Sequence, residues 1–322
     1  MQITRDLVAK LARVSSATVS RVFNSPETVS PPLREAVLQA SQELGYIPNK
    51  TAGMLRRRGT GVIAFVELEK VGRPYYWGNL ESFDWFFGRS IRGVQEAIKD
   101  TSWQLRFYKI RTKRELQALE RHCDGILAYD VDTEEEVSLF RDLTIPYVLS
   151  HHLSKESDAS VVVTDNYYGG FLQAQFLKSQ GCTSPLYITG YLESVVPHQQ
   201  RLQGFLSLFP DTHVLETGIG KPEAIIDILE MVAKMTQEEV IDSLAAVNDL
   251  TLFELLLKSR SVLPSVGYDA SPFYRLFNGP LASVDIQSGE IYKRATNELL
   301  LLIGGAEPEP KVVLPMLSEL LP

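Results

Sequence analysis

From residue 61 onward the chain alternates short apolar runs with amphipathic stretches of 10–15 residues, and nothing else in it constrains the fold as strongly. Gly61-Val-Ile-Ala-Phe-Val reads as a strand buried on both faces. Residues 89–99 then put Ile91, Val94 and Ile98 on one helical face. Further strands are expected at 104–110, 124–129 and 145–150, with helices at 114–121 and 133–143. A second series is expected to open with the strand at 161–164. It continues with strands at 186–189, 213–216, 244–247, 265–268, 282–286 and 312–314, and with helices at 168–179, 199–209, 223–235, 250–258 and 287–303. Strands separated by such helices form parallel sheets. There are too many for one sheet, so two doubly wound α/β lobes with a cleft between them are expected. Ligands of such sheets bind beyond the carboxyl ends of the strands.

The first 58 residues have a different pattern. Residues 4–12 read as a short helix with Thr4 as N-cap and Leu7, Val8 and Leu11 inward. A tight turn at Arg13-Val14 leads to Ser15, a good N-cap for a second helix of about two turns. There Val19, Val22 and Phe23 share one face at i, i+3 and i+4. Ser16, Ala17, Ser20 and Arg21 point elsewhere, and small and hydroxyl side chains beside one arginine suit a DNA groove. A third helix starts at Ser30 with Pro31 at N1, carries Leu33, Val37, Leu38, Ala40, Ser41 and Leu44, and ends at Gly45 as its C-cap. In the linker that follows, Lys50 to Leu55 have room for about two turns. So short a helix forms only when docked, and Gly53 costs it about 1 kcal/mol relative to Ala. Arg56, Arg57 and Arg58 behind it suit phosphate contact.

Charge divides the chain in the same place. The whole chain carries a net −8, yet residues 1–58 hold nine Lys/Arg against four acids, so they are +5 and the remainder is −13. A basic head on an acidic body is the expected footprint of a DNA-binding module. Two cysteines support neither a disulfide framework nor a metal cluster and fit a reducing cytosol. No charged-then-apolar leader and no run of about eighteen apolar residues is present, so secretion and membrane insertion are not expected and a cytoplasmic protein is.

Ile3-Thr-Arg-Asp, Val14-Ser-Ser-Ala-Thr-Val-Ser-Arg-Val-Phe-Asn24, Val29-Ser and Leu44-Gly-Tyr-Ile-Pro-Asn with Ala52 and Leu55 resemble the head of the LacI/GalR family of transcriptional repressors. Cys123-Asp-Gly-Ile-Leu, Val163-Thr-Asp-Asn, Arg201-Leu-Gln-Gly-Phe, Val247-Asn-Asp and Val266-Gly-Tyr-Asp follow in the family's order, so the resemblance covers nearly the whole chain. It implies a helix-turn-helix head over 1–46, a hinge helix and linker over 47–58, and an effector-binding and dimerisation body over 59–322 with two periplasmic-binding-protein-like α/β lobes. It implies a homodimer on a near-palindromic double-stranded operator, with half-sites in successive major grooves. Ser16, Ala17 and Arg21 match base-reading positions, while Thr18, Ser20, Asn24 and Ser30 match backbone contacts that set register. Thr4, Ser15, Asn49 and Ala52 join the DNA-contacting set, and paired Leu55 side chains would wedge into the minor groove.

The resemblance implies effector contacts at strand ends in both lobes: Asp269 after Val-Gly-Tyr, Asn248 after Ala-Val, and Arg201 at the start of a helix. Together they offer an acceptor, a two-way amide and a fork of donors, which suits sugar hydroxyls. In the first lobe Asp84-Trp-Phe-Phe matches the family's Asn-Pro-Phe-Phe, giving Asp84 as a polar ligand and Phe86 as an apolar wall. The preceding loop, 67–83, holds Tyr75, Tyr76 and Trp77, which either stack on a sugar or cover the lobe. His151 stands where the family often has Asp, so no known family ligand carries over. Asp165-Asn166 reads as a helix cap, and Asn248-Asp249 can cap as well as bind. Arg13 replaces a usual glycine and carries strain of order 1 kcal/mol if its φ is positive.

No His-Glu-x-x-His, Gly-x-Ser-x-Gly or paired-Cys motif occurs, Gly218-Ile-Gly-Lys-Pro lacks the third glycine of a phosphate loop, and no cofactor or metal is implied. The expectation is a sugar-controlled repressor of carbohydrate genes, not an enzyme and with no membrane partner. The alternatives are a solute-binding protein for sugar uptake without a DNA function, and a sugar-processing enzyme. With no heptad tail after the last strand, a dimer rather than a tail-built tetramer is expected.

Overall fold

The computed structural model describes residues 5–24, 29–44, 59–69, 84–131, 133–150, 160–193, 195–219, 224–273, 277 and 280–319. The chain forms two compact units, Met1–Gly59 and Thr60–Pro322.

The first unit contains α1 (Arg5–Leu11), α2 (Ser16–Asn24) and α3 (Pro31–Leu44). Val8, Ala9, Val19, Val22, Val29, Val37 and Ala40 form its core. Ser15 caps α2 as expected, accepting from the Thr18 amide at 3.1 Å. Three expected core residues are instead exposed: Leu11 at 42%, Leu33 at 44% and Leu38 at 47%. The inner stripe of α1 runs Val8–Ala9–Ala12 and turns Leu11 outward, while that of α3 runs Val37–Ala40–Ser41–Leu44 and leaves Leu38 beside it. The side chain of Phe23, the cap at Gly45 and the linker helix lie outside the described residues.

The second unit holds two six-stranded sheets. The elements are β1 (Val62–Leu68), α4 (Asp84–Ile98), β2 (Gln104–Ile110), α5 (Lys113–Ala118), β3 (Gly125–Tyr129), α6 (Glu134–Phe140), β4 (Tyr147–Ser150), β5 (Ser160–Thr164), α7 (Asn166–Ser179), β6 (Pro185–Thr189) and α8 (Val196–Leu206). They continue with β7 (His213–Glu216), α9 (Ala224–Gln237), β8 (Ser243–Ala246), α10 (Asp249–Ser259), β9 (Ser265–Tyr268), β10 (Leu281–Asp285), α11 (Ser288–Ile303), β11 (Lys311–Val313) and β12 (Met316–Glu319). One sheet has the order β11-β5-β4-β3-β1-β2 and the other β12-β10-β9-β8-β6-β7. Every pairing is parallel except β10 with β12.

Two doubly wound lobes are therefore present, but the division differs from the expected one. β5 does not open the second lobe: it is a strand of the first sheet, between β4 and β11. The chain thus passes between lobes three times, after β5, after β10 and after β11. β12, an element the sequence did not suggest, closes the second sheet antiparallel. α11 follows a second-lobe strand yet packs on the first lobe, where its Tyr292 hydroxyl lies 2.7 Å from Ser150 Oγ and accepts from the Asp130 amide at 3.1 Å. The first lobe is pinned at its edge by buried Glu298 of α11, which accepts from Ser160 Oγ at 3.1 Å and pairs with Lys311 of β11 at 3.0 Å. α4 starts at Asp84 rather than 89, and β1 runs through Leu68, into the stretch expected to be loop.

Candidate functional site

In the head, α2 shows the division its sequence implies. Val19 and Val22 are buried, and Ala17 and Arg21, one turn apart, are exposed. Ser16 and Thr18 are half-buried, and Ser15 and Ser30 exposed. Thr4, Asn49, Ala52 and Leu55, with the side chains of Ser20 and Asn24, lie outside the described residues. Arg13 has φ 51°. Its amide donates to Lys10 O at 3.3 Å, and the Val14 amide donates to Ala9 O at 2.9 Å. That pair of bonds is a Schellman closure with Arg13 at the left-handed position glycine normally fills, which costs about 1 kcal/mol.

In the body, three expected ligand residues meet at the carboxyl ends of β8 and β9. Arg201 lies well inside α8, because that helix begins three residues earlier than the sequence suggested, with Pro197 in its first turn. The side chain is 6% exposed. Its Nε donates to Asn166 Oδ1 at 2.9 Å, its Nη1 to Val247 O at 2.8 Å, and its guanidinium lies 3.8 Å from the Tyr268 ring centroid. α7 and α8 reach this closeness through glycines: a Cβ on Gly170 would stand 1.8 Å from Arg201 O, and one on Gly204 1.8 Å from Tyr167 O. Asn166 is therefore not a cap. Asp165 caps α7, accepting from the Tyr168 amide at 2.8 Å, and Asn166 holds the arginine.

Asn248 caps α10, its Oδ1 accepting from the Thr251 amide at 2.9 Å, which leaves the amide nitrogen as the donor of its side chain. Asp269 follows β9 with φ 95°, and Ala270 has φ 49°. Two consecutive non-glycine residues at positive φ store about 1–3 kcal/mol each. Beneath them lies Asp249, 1% exposed, which the sequence offered, together with Asn248, as a cap that could also bind. Burial, with the negative charge of Asp269 adding to it, holds the Asp249 carboxyl well above the usual carboxylate range. Its sequence signals were adjacency to Asn248 and its place in the Val247-Asn-Asp match.

On the first lobe Phe86 is 6% exposed and packs 6.2 Å from Tyr129, whose strand ends at the cleft edge. Asp84 begins α4, and its side chain lies outside the described residues, as do His151, Tyr75, Tyr76 and Trp77. A cavity of about 530 Å³ is lined by Trp85, Phe87 and Ile91 of α4 and by Pro272, three residues after Asp269. It brings the aromatic start of α4 to the turn that carries the carboxylate. Among the described residues no group of three or more His, Cys, Asp or Glu can hold a metal ion, and no helix is long and apolar enough to cross a membrane.

Residues 6–49 match the family model for bacterial regulatory proteins of the lacI family. Over 95% of this chain and 94% of its own length, the HTH-type transcriptional regulator CelR of Thermobifida fusca is 28% identical. The sucrose operon repressor of Pediococcus pentosaceus is 27% identical over 96% of this chain and 95% of its own. Among solved structures, a complex of the transcriptional regulator CelR with cellobiose superposes with a TM-score of 0.66 at 25% identity, over 98% of both chains. The Lac repressor dimer bound to operator and the anti-inducer ONPF has the same fold, with a TM-score of 0.61 at 19% identity over 99% of this chain and 98% of that one.

Proposed function

We propose that the chain, whose residues 6–49 match the lacI-family model, is a dimeric DNA-binding repressor of carbohydrate genes, released or tightened by a neutral sugar bound between the lobes. The observation that carries the sugar site is the convergence of Arg201, Asn248 and Asp269 at the ends of neighbouring second-lobe strands. Nε and Nη1 of the guanidinium donate within the protein, and the rest of the fork, with the Asn248 amide and the Asp269 carboxylate, suits a ring of hydroxyls. The negative charge of Asp269, felt by the buried Asp249 carboxyl beside it, favours a neutral sugar over a sugar phosphate. Asp84, Phe86 and His151 are the first-lobe contacts in this reading. Cellobiose is the first ligand to test, because the CelR relative is known in complex with it.

The head covers 1–46, the hinge 47–58 and the effector body 59–322. Ser16, Ala17 and Arg21 read bases, where Arg21 can bond both guanine acceptors. Thr4, Ser15, Thr18, Ser20, Asn24 and Ser30 fix register, Asn49 and Ala52 belong to the hinge, and Leu55 enters the minor groove. The second copy of the chain covers exposed apolar side chains on both lobes: Phe107 at 53% on the edge strand β2, and Leu257 at 70% and Val262 at 87% around the end of α10. Sugar closes the lobes and so shifts the hinge equilibrium, by no more than its preference for one closure state. The protein acts in the cytoplasm, where its operator is, and turns over no substrate.

Selection of the full chain on random duplexes, followed by gel shift with cellobiose and other neutral sugars, tests this. A near-palindromic duplex whose retention changes with sugar supports it. Absence of any sequence-specific shift, with or without sugars, returns the chain to a solute-binding role. Sugar bound and converted makes it an enzyme.

A further inference from the structure

Asp249 of α10 reaches across to the turn after β9. Its carboxylate accepts from Ser283 Oγ at 2.7 and 2.9 Å and from the Ser271 amide at 2.6 Å. Ser283, a fully buried residue of β10, in turn accepts from the Ala270 amide at 2.9 Å. The Asp269 amide donates to Val284 O at 2.7 Å. Three successive amides of the turn are thus tied, two of them through one buried carboxylate. These are the amides that accompany the positive φ angles of Asp269 and Ala270. Space for the carboxylate is made at Gly267, where a Cβ would stand 2.0 Å from Asp249 Oδ1. A buried carboxylate is costly unless its lone pairs are taken up, and a strained turn persists only where its surroundings over-determine it. Each feature answers the other.

We propose that Asp249 and Ser283 are positioning residues of the effector site, holding the 269–271 turn so that the Asp269 carboxylate faces the cleft to receive a sugar hydroxyl. This rests on the reading of Asp269 as an effector contact. Neither residue needs to touch the sugar. The sugar meets a turn whose conformational cost was met on folding, so binding does not have to meet it again. The role extends to specificity: loosening the turn weakens ligands that bond Asp269 and leaves DNA recognition, which belongs to the other compact unit, unaltered.

The test uses the full chain with Ser283→Ala and, as a second variant that keeps the shape of the buried group, Asp249→Asn. Amide exchange is read by mass spectrometry over peptides spanning 266–273, with β8 as the control, alongside operator affinity and the cellobiose midpoint for the operator response. In both variants exchange over 269–271 is expected to rise about tenfold with β8 unchanged, and the cellobiose midpoint to rise about tenfold, with operator affinity held within about twofold. Wild-type exchange over 269–271 in both variants overturns the proposal. So does a loosened turn with an unmoved midpoint. If the unaltered protein responds to neither cellobiose nor the other neutral sugars, the effector reading fails, and the exchange arm still decides whether Asp249 and Ser283 hold the turn.

Discussion

Arg201 is both a structural residue and a ligand candidate, and replacing it with Met separates the two roles. Met keeps most of the aliphatic volume but removes both bonds to Asn166 Oδ1 and Val247 O and the contact with the Tyr268 ring. Each buried acceptor left without a donor costs about 1–3 kcal/mol, and the loss of a desolvated cation–π contact about 2 kcal/mol. Against this, the cost of burying a guanidinium is relieved, which returns several kcal/mol. The net expectation is about 3 kcal/mol of destabilisation, confined to the body. For a unit of this size that lowers its Tm by roughly 6–10 °C. Urea denaturation of the full chain, with fluorescence of Trp85 and Trp103 reporting the body and both in α4 or beside it, measures the change. A loss below about 1 kcal/mol with cellobiose response abolished would refute the reasoning, because Arg201 would then be a ligand group only.

Other expectations concern separate elements. Arg13→Gly relieves the left-handed strain in the Schellman turn and stabilises the head by about 1 kcal/mol; head helicity on heating checks it, and an unchanged head melt contradicts it. Gly204→Ala forces a Cβ toward Tyr167 O and separates α7 from α8. It should destabilise the body by about 3 kcal/mol or prevent its folding, and a neutral result in urea would show that the two helices can slide apart. Phe107→Glu together with Leu257→Glu should give monomers with operator affinity lowered at least tenfold, read by analytical ultracentrifugation and anisotropy; intact dimers would place the interface elsewhere. Asp249 has a folded pKa above its unfolded value, so its contribution to stability is fully present below about pH 4 and is lost as pH rises through the folded value. Asp249→Asn, which does not titrate, should flatten that part of the stability–pH curve, and parallel curves for the two proteins would show that the carboxyl is not perturbed.

The periodicity of the sequence carried most of the fold because each buried parallel strand must be a short apolar run and each covering helix must show one apolar face. β2 and β9 are found with the bounds the pattern suggested. What periodicity does not carry is the sheet to which a strand belongs. β5 and β11 look like second-lobe strands in chain order, yet long-range pairing, Lys311↔Val162 and its neighbours, puts both in the first sheet. β12 was invisible because Met316-Leu-Ser-Glu is short and mixed, and only its antiparallel pairing with β10 makes it a strand. In the candidate site, Asp269 and Asn248 were legible as candidates through the family resemblance, which puts effector contacts at strand ends. Asp249 was not, since a cap and a buried carboxylate look alike until Ser271 and Ser283, more than twenty residues away, are brought to it. Arg13 was legible as an oddity, and the two backbone bonds around it say what it does there.

Operator binding by the head is coupled to sugar binding at Asp269 in this protein's proposed function, and one titration tests that coupling. Full-length protein on its selected operator is followed by fluorescence anisotropy against cellobiose, beside the Asp269→Asn variant. Without sugar the two proteins should bind operator equally, and the variant should show at least about a tenfold higher cellobiose midpoint. Superimposable titrations of the two proteins would contradict it.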